Sequence, residues 1–289
     1  MDMSTHEDPA ADHTWDWWSP PRTVDVGGVP VAYREAGEGP TVLYLHGERF
    51  TRIWPPVLDL LAATAHVVAP EHPGYGDTPM PAEWDAWTDW VLHYDELLRT
   101  LDLTDVHLVG HGLGAWLAAE LAIHYPDRFA SLTLITPFGT RLPSEEYMPD
   151  WFRPIDPSGL NEIFNGRGDA WASRLQQGDA SAWGMQRYAD DTTTAILTFE
   201  PRYDYALDRR LPRVTIPALV LAAEEDRFVG DGHAPRFAAL LPNAELHTVP
   251  GADGEPSGHG VLLEDPEAIA AAVLSHITAT TAVTTGSAS

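Results

Sequence analysis

The sequence predicts an α/β fold: a mostly parallel eight-stranded sheet with flanking helices and a helical segment inserted after the sixth strand. Three observations predict it. Short apolar runs alternate with stretches of helical periodicity, the pattern of a parallel sheet wrapped on both faces by helices. One run passes through Gly110-His-Gly-Leu-Gly114 directly into a helical stripe, a strand, sharp turn and helix in succession. Between Phe138 and about Arg210 the alternation stops.

The clearest strand candidates are Val42–Leu45, His66–Val68, Val106–Val109, Leu132–Ile135, Leu219–Leu221 and Leu246–Val249. Between the second and third, Trp84, Trp87, Val91, Tyr94, Leu98 and Leu101 recur at spacings that put them on one face of a helix. Leu113, Trp116, Leu117 and Leu121 form a second stripe straight after the third run. Asp265 and Pro266 read as N-cap and first-turn proline of a helix through Ile277. These elements divide the chain into a core over 22–137 and 211–277 and a lid over 138–210. An N-terminal arm over 1–21 carries Trp15, Trp17 and Trp18, and the Thr/Ala/Ser tract over 278–289 is expected to be disordered. A lid so placed would cover the carboxyl ends of the strands, where open α/β sheets bind ligands. Its aromatic residues, among them Trp151, Phe152, Trp171, Trp183 and Tyr188, suit a ring-containing ligand and equally suit packing.

Composition narrows the chemistry. With 289 residues, 44% of them hydrophobic, the chain has enough apolar surface for one large core. Its formal charge of −26, from 17 basic and 43 acidic side chains, disfavours nucleic-acid and membrane-surface partners. There is no cysteine, hence no disulfide, thiolate nucleophile or thiolate metal site. Every basic side chain is Arg, so Schiff-base and P-loop lysine chemistry are excluded. The histidines show no metal-ligand spacing, and no metal or cofactor is expected. The acidic, polar N-terminus and the lack of an apolar run of roughly 18 residues suggest a cytoplasmic protein.

The stretch Val106–Trp116 is the most informative. Gly-x-Ser-x-Gly between a strand and a helix forms a strained turn that lifts a serine oxygen above the sheet. Here Gly110 and Gly114 flank the turn, His111 and Leu113 fill its variable positions, and Gly112 stands where the serine would be. The same glycines fit a dinucleotide fingerprint, which needs an acidic residue roughly 20 residues on, at the end of the next strand. That strand ends Ile135-Thr136-Pro137, without a carboxylate.

From about Arg22 to Ile277 the chain resembles the α/β-hydrolase superfamily, in its lidded esterase, epoxide-hydrolase and C–C-hydrolase-like branch. Beside the glycine turn, the resemblance rests on His46-Gly47 after a strand and on Pro70-Glu-His-Pro-Gly-Tyr-Gly-Asp-Thr78. It rests further on Leu219–Val229 and on Gly258-His259 followed by Leu263-Glu-Asp-Pro266. The resemblance implies Asp226 as the acid that orients a catalytic histidine, His259, and backbone N–H groups of Glu48 and Leu113 as an oxyanion hole. The sequence departs from the family at Gly112, at Glu48, where a small or apolar residue is usual, and at Asp253–Ser257, which looks like an insertion.

Without the serine, Asp226 and His259 would remain an oriented base with a pKa near working pH. Such a set suits proton abstraction beside a carbonyl, leading to elimination or cyclisation without an acyl-enzyme, a lyase-type reaction at home in specialised metabolism. A hydrolase in which His259 activates water, and a non-catalytic member that binds a small molecule or partner, are the alternatives. Glu48 is a second carboxylate of the pocket, or else it faces solvent or pairs with Arg49 or Arg52. His46, His111 and Tyr75 are candidate pocket residues, and His46, His72 and His111 read equally as structural hydrogen-bond partners. Ser257, two residues before His259, is poorly placed to replace the missing nucleophile.

Overall fold

A computed structural model of the protein describes residues 19–142, 159–176, 179–198, 204, 206–252 and 254–286. The strands are β1 (Arg22–Val26), β2 (Val29–Ala36), β3 (Thr41–Leu45), β4 (His66–Pro70), β5 (Val106–His111), β6 (Phe129–Ile135), β7 (Ala218–Ala223) and β8 (Ala244–Val249). They form one sheet in the order β1-β2-β4-β3-β5-β6-β7-β8. Strand β2 pairs antiparallel with β1 and β4, and every other pairing is parallel. The β1–β2 hairpin turns through Gly27 and Gly28, both at positive φ, the conformation that a two-residue turn requires to match strand twist.

The helices are α1 (Pro56–Ala62), α2 (Trp87–Thr100), α3 (Leu113–His124), α4 (Leu160–Ile163), α5 (Gly168–Leu175), α6 (Ala180–Thr198), α7 (Leu207–Arg210), α8 (His233–Leu240), α9 (Val261–Glu264) and α10 (Pro266–Gly286). The six clear apolar runs lie in β3 to β8. The α2 stripe begins one turn late, because Trp84 precedes the helix and packs edge-on against Trp90. Every residue from Leu113 to Ala122 of α3 is buried, so this helix is enclosed on all sides rather than half-exposed.

Helix α10 continues past Ile277 to Gly286, and residues 278–286 are therefore helical instead of the irregular tail expected. The Thr278, Thr280 and Thr281 hydroxyls bond back to carbonyls of the preceding turn, which satisfies their polarity without leaving the helix. Between β6 and β7 the described residues hold α4 to α7 and no strand. Residues 1–18, with the three tryptophans of the arm, and 143–158, with Trp151 and Phe152, lie outside the described residues. No helix among the described residues is long and apolar enough to cross a membrane.

Candidate active site

The parallel strands deliver the predicted site residues to one end of the sheet. The loop after β3 carries His46 to Arg52, the turn after β5 carries Gly112, the loop after β7 carries Asp226, and His259 precedes α9. At the β5 turn, Gly112 has φ +52 and its N–H donates to the Ile135 carbonyl at 3.0 Å. The turn can be this sharp because its flanks lack side chains. A Cβ on Gly110 would lie 2.3 Å from the Gly114 carbonyl oxygen, and one on Gly114 would lie 2.2 Å from that of Leu45. With no carboxylate at the end of β6 and a turn that closes on α3, the dinucleotide alternative finds no support.

The structure brings Asp226 and His259 into contact. His259 Nδ1 donates to Asp226 Oδ2 at 2.8 Å, while Asp226 Oδ1 accepts the N–H groups of Phe228 and Val229 at 3.1 and 3.0 Å. His259 is fully buried, its ring flanked by Phe228 and Phe138.

The unexpected partner is Glu48. Its side chain neither faces solvent nor pairs with an arginine: Arg49 bonds Asp191 and Arg52 bonds Asp77. Glu48 is fully buried over the β5 turn, with Oε2 accepting the Leu113 N–H at 2.8 Å and Oε1 2.7 Å from His259 Nε2. The Leu113 N–H is thus occupied by the protein's own carboxylate, which corrects the expectation of a vacant oxyanion hole there.

Space explains the glycine. A Cβ built on Gly112 would lie 2.6 Å from Glu48 Oε2 and 2.9 Å from His259 Nε2, closer than side-chain carbons approach oxygen or nitrogen. Glu48 and Gly112 are complementary, with the carboxylate filling the room that a residue-112 side chain would need.

Electrostatics follow. Burial alone would lower the His259 pKa, but the charges of Asp226 and then Glu48 outweigh it and raise the value to about 10. His259 is therefore an imidazolium at neutral pH, not the base near working pH that its sequence setting suggested. For Glu48, burial raises the pKa, yet the His259 charge and contact, His111 and the Leu113 N–H together outweigh it and hold the carboxyl below its usual value. The Glu48–His259 approach is off the axis of a well-formed hydrogen bond, leaving Oε1 and Nε2 without a hydrogen-bond partner despite their closeness. The contact is an ion pair held by charge more than by direction.

His46, His72 and His111 are held in hydrogen bonds within the protein. His46 Nδ1 donates to the Gly47 carbonyl and Nε2 accepts the His72 N–H, with burial pushing its pKa down to about 4. His72 Nε2 donates to the His46 carbonyl, and burial keeps its pKa well below the usual value. His111 Nε2 donates to the His259 carbonyl at 2.9 Å, and burial lowers its pKa to about 4. Tyr75 is buried and shares its hydroxyl with Thr194 of α6. Ser257 is spent on the Glu224 N–H and the Val249 carbonyl, so it does not reach the β5 turn.

The profile of the alpha/beta hydrolase family matches residues 42–272. The chain is 26% identical over 266 residues to 2-(acetamidomethylene)succinate hydrolase of Mesorhizobium japonicum, spanning 88% of this chain and 92% of that protein. A haloalkane dehalogenase of the same organism is 37% identical over 113 residues, 37% of each chain. Among solved structures, 2-hydroxy-6-oxo-6-phenylhexa-2,4-dienoate hydrolase of Rhodococcus sp. strain RHA1 superposes with a TM-score of 0.71 at 19% identity, covering 89% of this chain and 98% of that one. At that identity the likeness concerns the fold alone.

Proposed function

The chain belongs to the alpha/beta hydrolase family, and from that premise we propose that it is an enzyme moving protons on a small carbonyl-bearing molecule without an acyl-enzyme. The reaction is an elimination or ring closure, with Glu48 as base, the His259 imidazolium as acid and Asp226 as its orienting partner. The observation that carries this reading is the buried Glu48 carboxylate, set against His259 in the space above Gly112.

The ion pair makes Glu48 a latent base. While paired, its pKa is held down by His259. A carbonyl group that enters between Oε1 and Nε2 separates the charges, and the desolvation of Glu48 is then less opposed, raising its proton affinity. Glu48 takes the proton from the carbon beside the carbonyl, and the electron pair moves onto the carbonyl oxygen. His259 donates a hydrogen bond to that enolate through Nε2–H, the position of a preorganised electrophile. Collapse of the enolate expels a leaving group or closes a ring, and the proton on Glu48 goes to the departing group or to solvent.

Hydrolysis is the second reading, favoured by the relatives, among them a hydrolase and a haloalkane dehalogenase. There Glu48 itself would attack a saturated carbon or activate water. The two separate in labelled solvent. Aryl ketones and β-hydroxy ketones incubated in D₂O should gain deuterium beside the carbonyl, and Glu48→Gln should slow this roughly 100-fold or more. Products that instead carry ¹⁸O from labelled water favour hydrolysis. Neither label would leave the family's non-catalytic, ligand-binding alternative.

A further inference from the structure

Asp226 and His259 sit on separate loops, after β7 and after β8, and their contact needs those loops held at one spacing. Part of the tie is local. Ser257 Oγ accepts the Glu224 N–H at 2.9 Å, and the Ser257 carbonyl accepts the Glu225 N–H at 3.1 Å. The rest comes from the segment between β6 and β7, at the turn that joins α4 to α5. Asn165 Nδ2 donates to the Glu225 carbonyl at 2.8 Å and, at longer reach, to those of Ser257 at 3.3 Å and Pro256 at 3.5 Å. One amide group thus meets the residue before Asp226 and two residues of the histidine loop. Its neighbours grip the same loop. The Ile163 carbonyl accepts the Gly260 N–H at 3.1 Å, while Arg167 Nη2 donates to the Pro256 carbonyl at 3.1 Å and pairs with Glu264. Glu264 Oε2 in turn accepts the Gly258 N–H at 2.7 Å.

The chemistry at Asn165 is specific. The carbonyl oxygens of Glu225, Pro256 and Ser257 converge on its Nδ2, and such dipoles aimed at one point repel unless a donor stands there. Turning the amide round would put Oδ1, an acceptor only, against the same oxygens. The observed orientation is kept although it leaves Oδ1 buried without a hydrogen-bond partner, which is uncommon in folded proteins. The fit is also close at both glycines that flank His259. A Cβ on Gly258 would lie 2.7 Å from the Ile163 carbonyl oxygen, and one on Gly260 would lie 2.2 Å from the Phe164 ring.

We propose that Asn165 is a positioning residue for His259: from the α4–α5 turn it fixes the spacing of the two loops, and so the Asp226–His259 contact, without touching the reacting atoms. Burial lowers the His259 pKa, and of the two charges that raise it Asp226 is the larger. A shift of the α4–α5 turn is therefore felt at His259 as a change of proton affinity. This role lies in the geometry of the loops and holds for whichever reaction the site performs.

Nitrogen-15 NMR of the histidine rings on the full chain reads His259 without any substrate. Asn165→Gly removes the amide and keeps the backbone conformation of residue 165, φ +52. Asn161→Ala is the control, because Asn161 Oδ1 accepts the Gly168 N–H at 3.0 Å and so supports the same pair of helices. Asn165→Gly should lower the pH at which His259 titrates by about one unit, roughly tenfold in proton affinity, whereas Asn161→Ala leaves it where wild type has it. Asn165→Ser, whose hydroxyl is too short to span both loops, should give a fall in the same direction and serves if Asn165→Gly does not fold. A His259 titration unmoved in the folded residue-165 variants, or moved equally by the control, overturns the positioning role. A shifted titration in a protein that exchanges no deuterium into ketones would sustain the role and sink the proton-transfer reading. Deuterium exchange in wild type with an unmoved titration in the variants would do the reverse.

Discussion

Glu48 Oε1 lies 2.7 Å from His259 Nε2, and neither side chain has any solvent exposure. Breaking one side of a buried pair usually costs about 3–5 kcal/mol, because the remaining charge is stranded. His259 escapes part of that penalty by losing its proton more easily. Glu48→Gln should therefore destabilise the protein by roughly 2–3 kcal/mol at pH 7. Urea denaturation of the two proteins under one buffer measures it, and a change under about 0.5 kcal/mol, the range of surface substitutions, would show the pair is not formed.

Residues 48 and 112 should behave as one unit. Gly112→Ser alone places a side chain where a Cβ already lies 2.6 Å from Glu48 Oε2, so it should lower stability and give no acyl-enzyme burst with p-nitrophenyl acetate. Combining it with Glu48→Ala clears that space, frees the Leu113 N–H and removes one of the two charges that raise the His259 pKa. A burst is expected in the double variant, abolished by adding His259→Ala. An equal burst from Gly112→Ser alone would mean Glu48 does not hold the space.

The pair also sets a pH window for stability. His259 is raised from an unfolded value of about 6.5 to about 10, so its stabilisation is complete below 6.5 and is lost as pH rises through 10. Glu48 is lowered, so its contribution is present above the ordinary 4.5 and is lost as pH falls through its folded value. The melting-temperature gap between wild type and Glu48→Gln should be widest near pH 6.5 and shrink by pH 10. A gap constant from pH 6 to pH 10 would place the effect of Glu48 in packing rather than charge.

Much of the fold was legible because its signals are local. The runs that became β3 to β8 are short, apolar and bounded by turns, and Gly110 and Gly114 mark a turn that tolerates no side chain. The partial misreading at 278–286 has a local cause too: a Thr-rich tract has weak helix propensity, and only hydroxyl bonds back to the helix and its packing reveal it as α10. Which candidate residues meet was partly legible, and their charge state was not. Asp226 and His259 follow from motif, but the His259 pKa depends on Glu48, 211 positions earlier in the chain by subtraction of 48 from 259.

The central claim is that Glu48 and His259 form a buried carboxylate–imidazolium pair. Nitrogen-15 NMR of the histidine rings, assigned with His259→Gln, tests it most directly. At pH 8 both ring nitrogens of His259 should be protonated, with titration only near 10, and Glu48→Gln should move that titration downward. A neutral His259 ring at pH 8, titrating near the usual value of 6.5, would contradict the account.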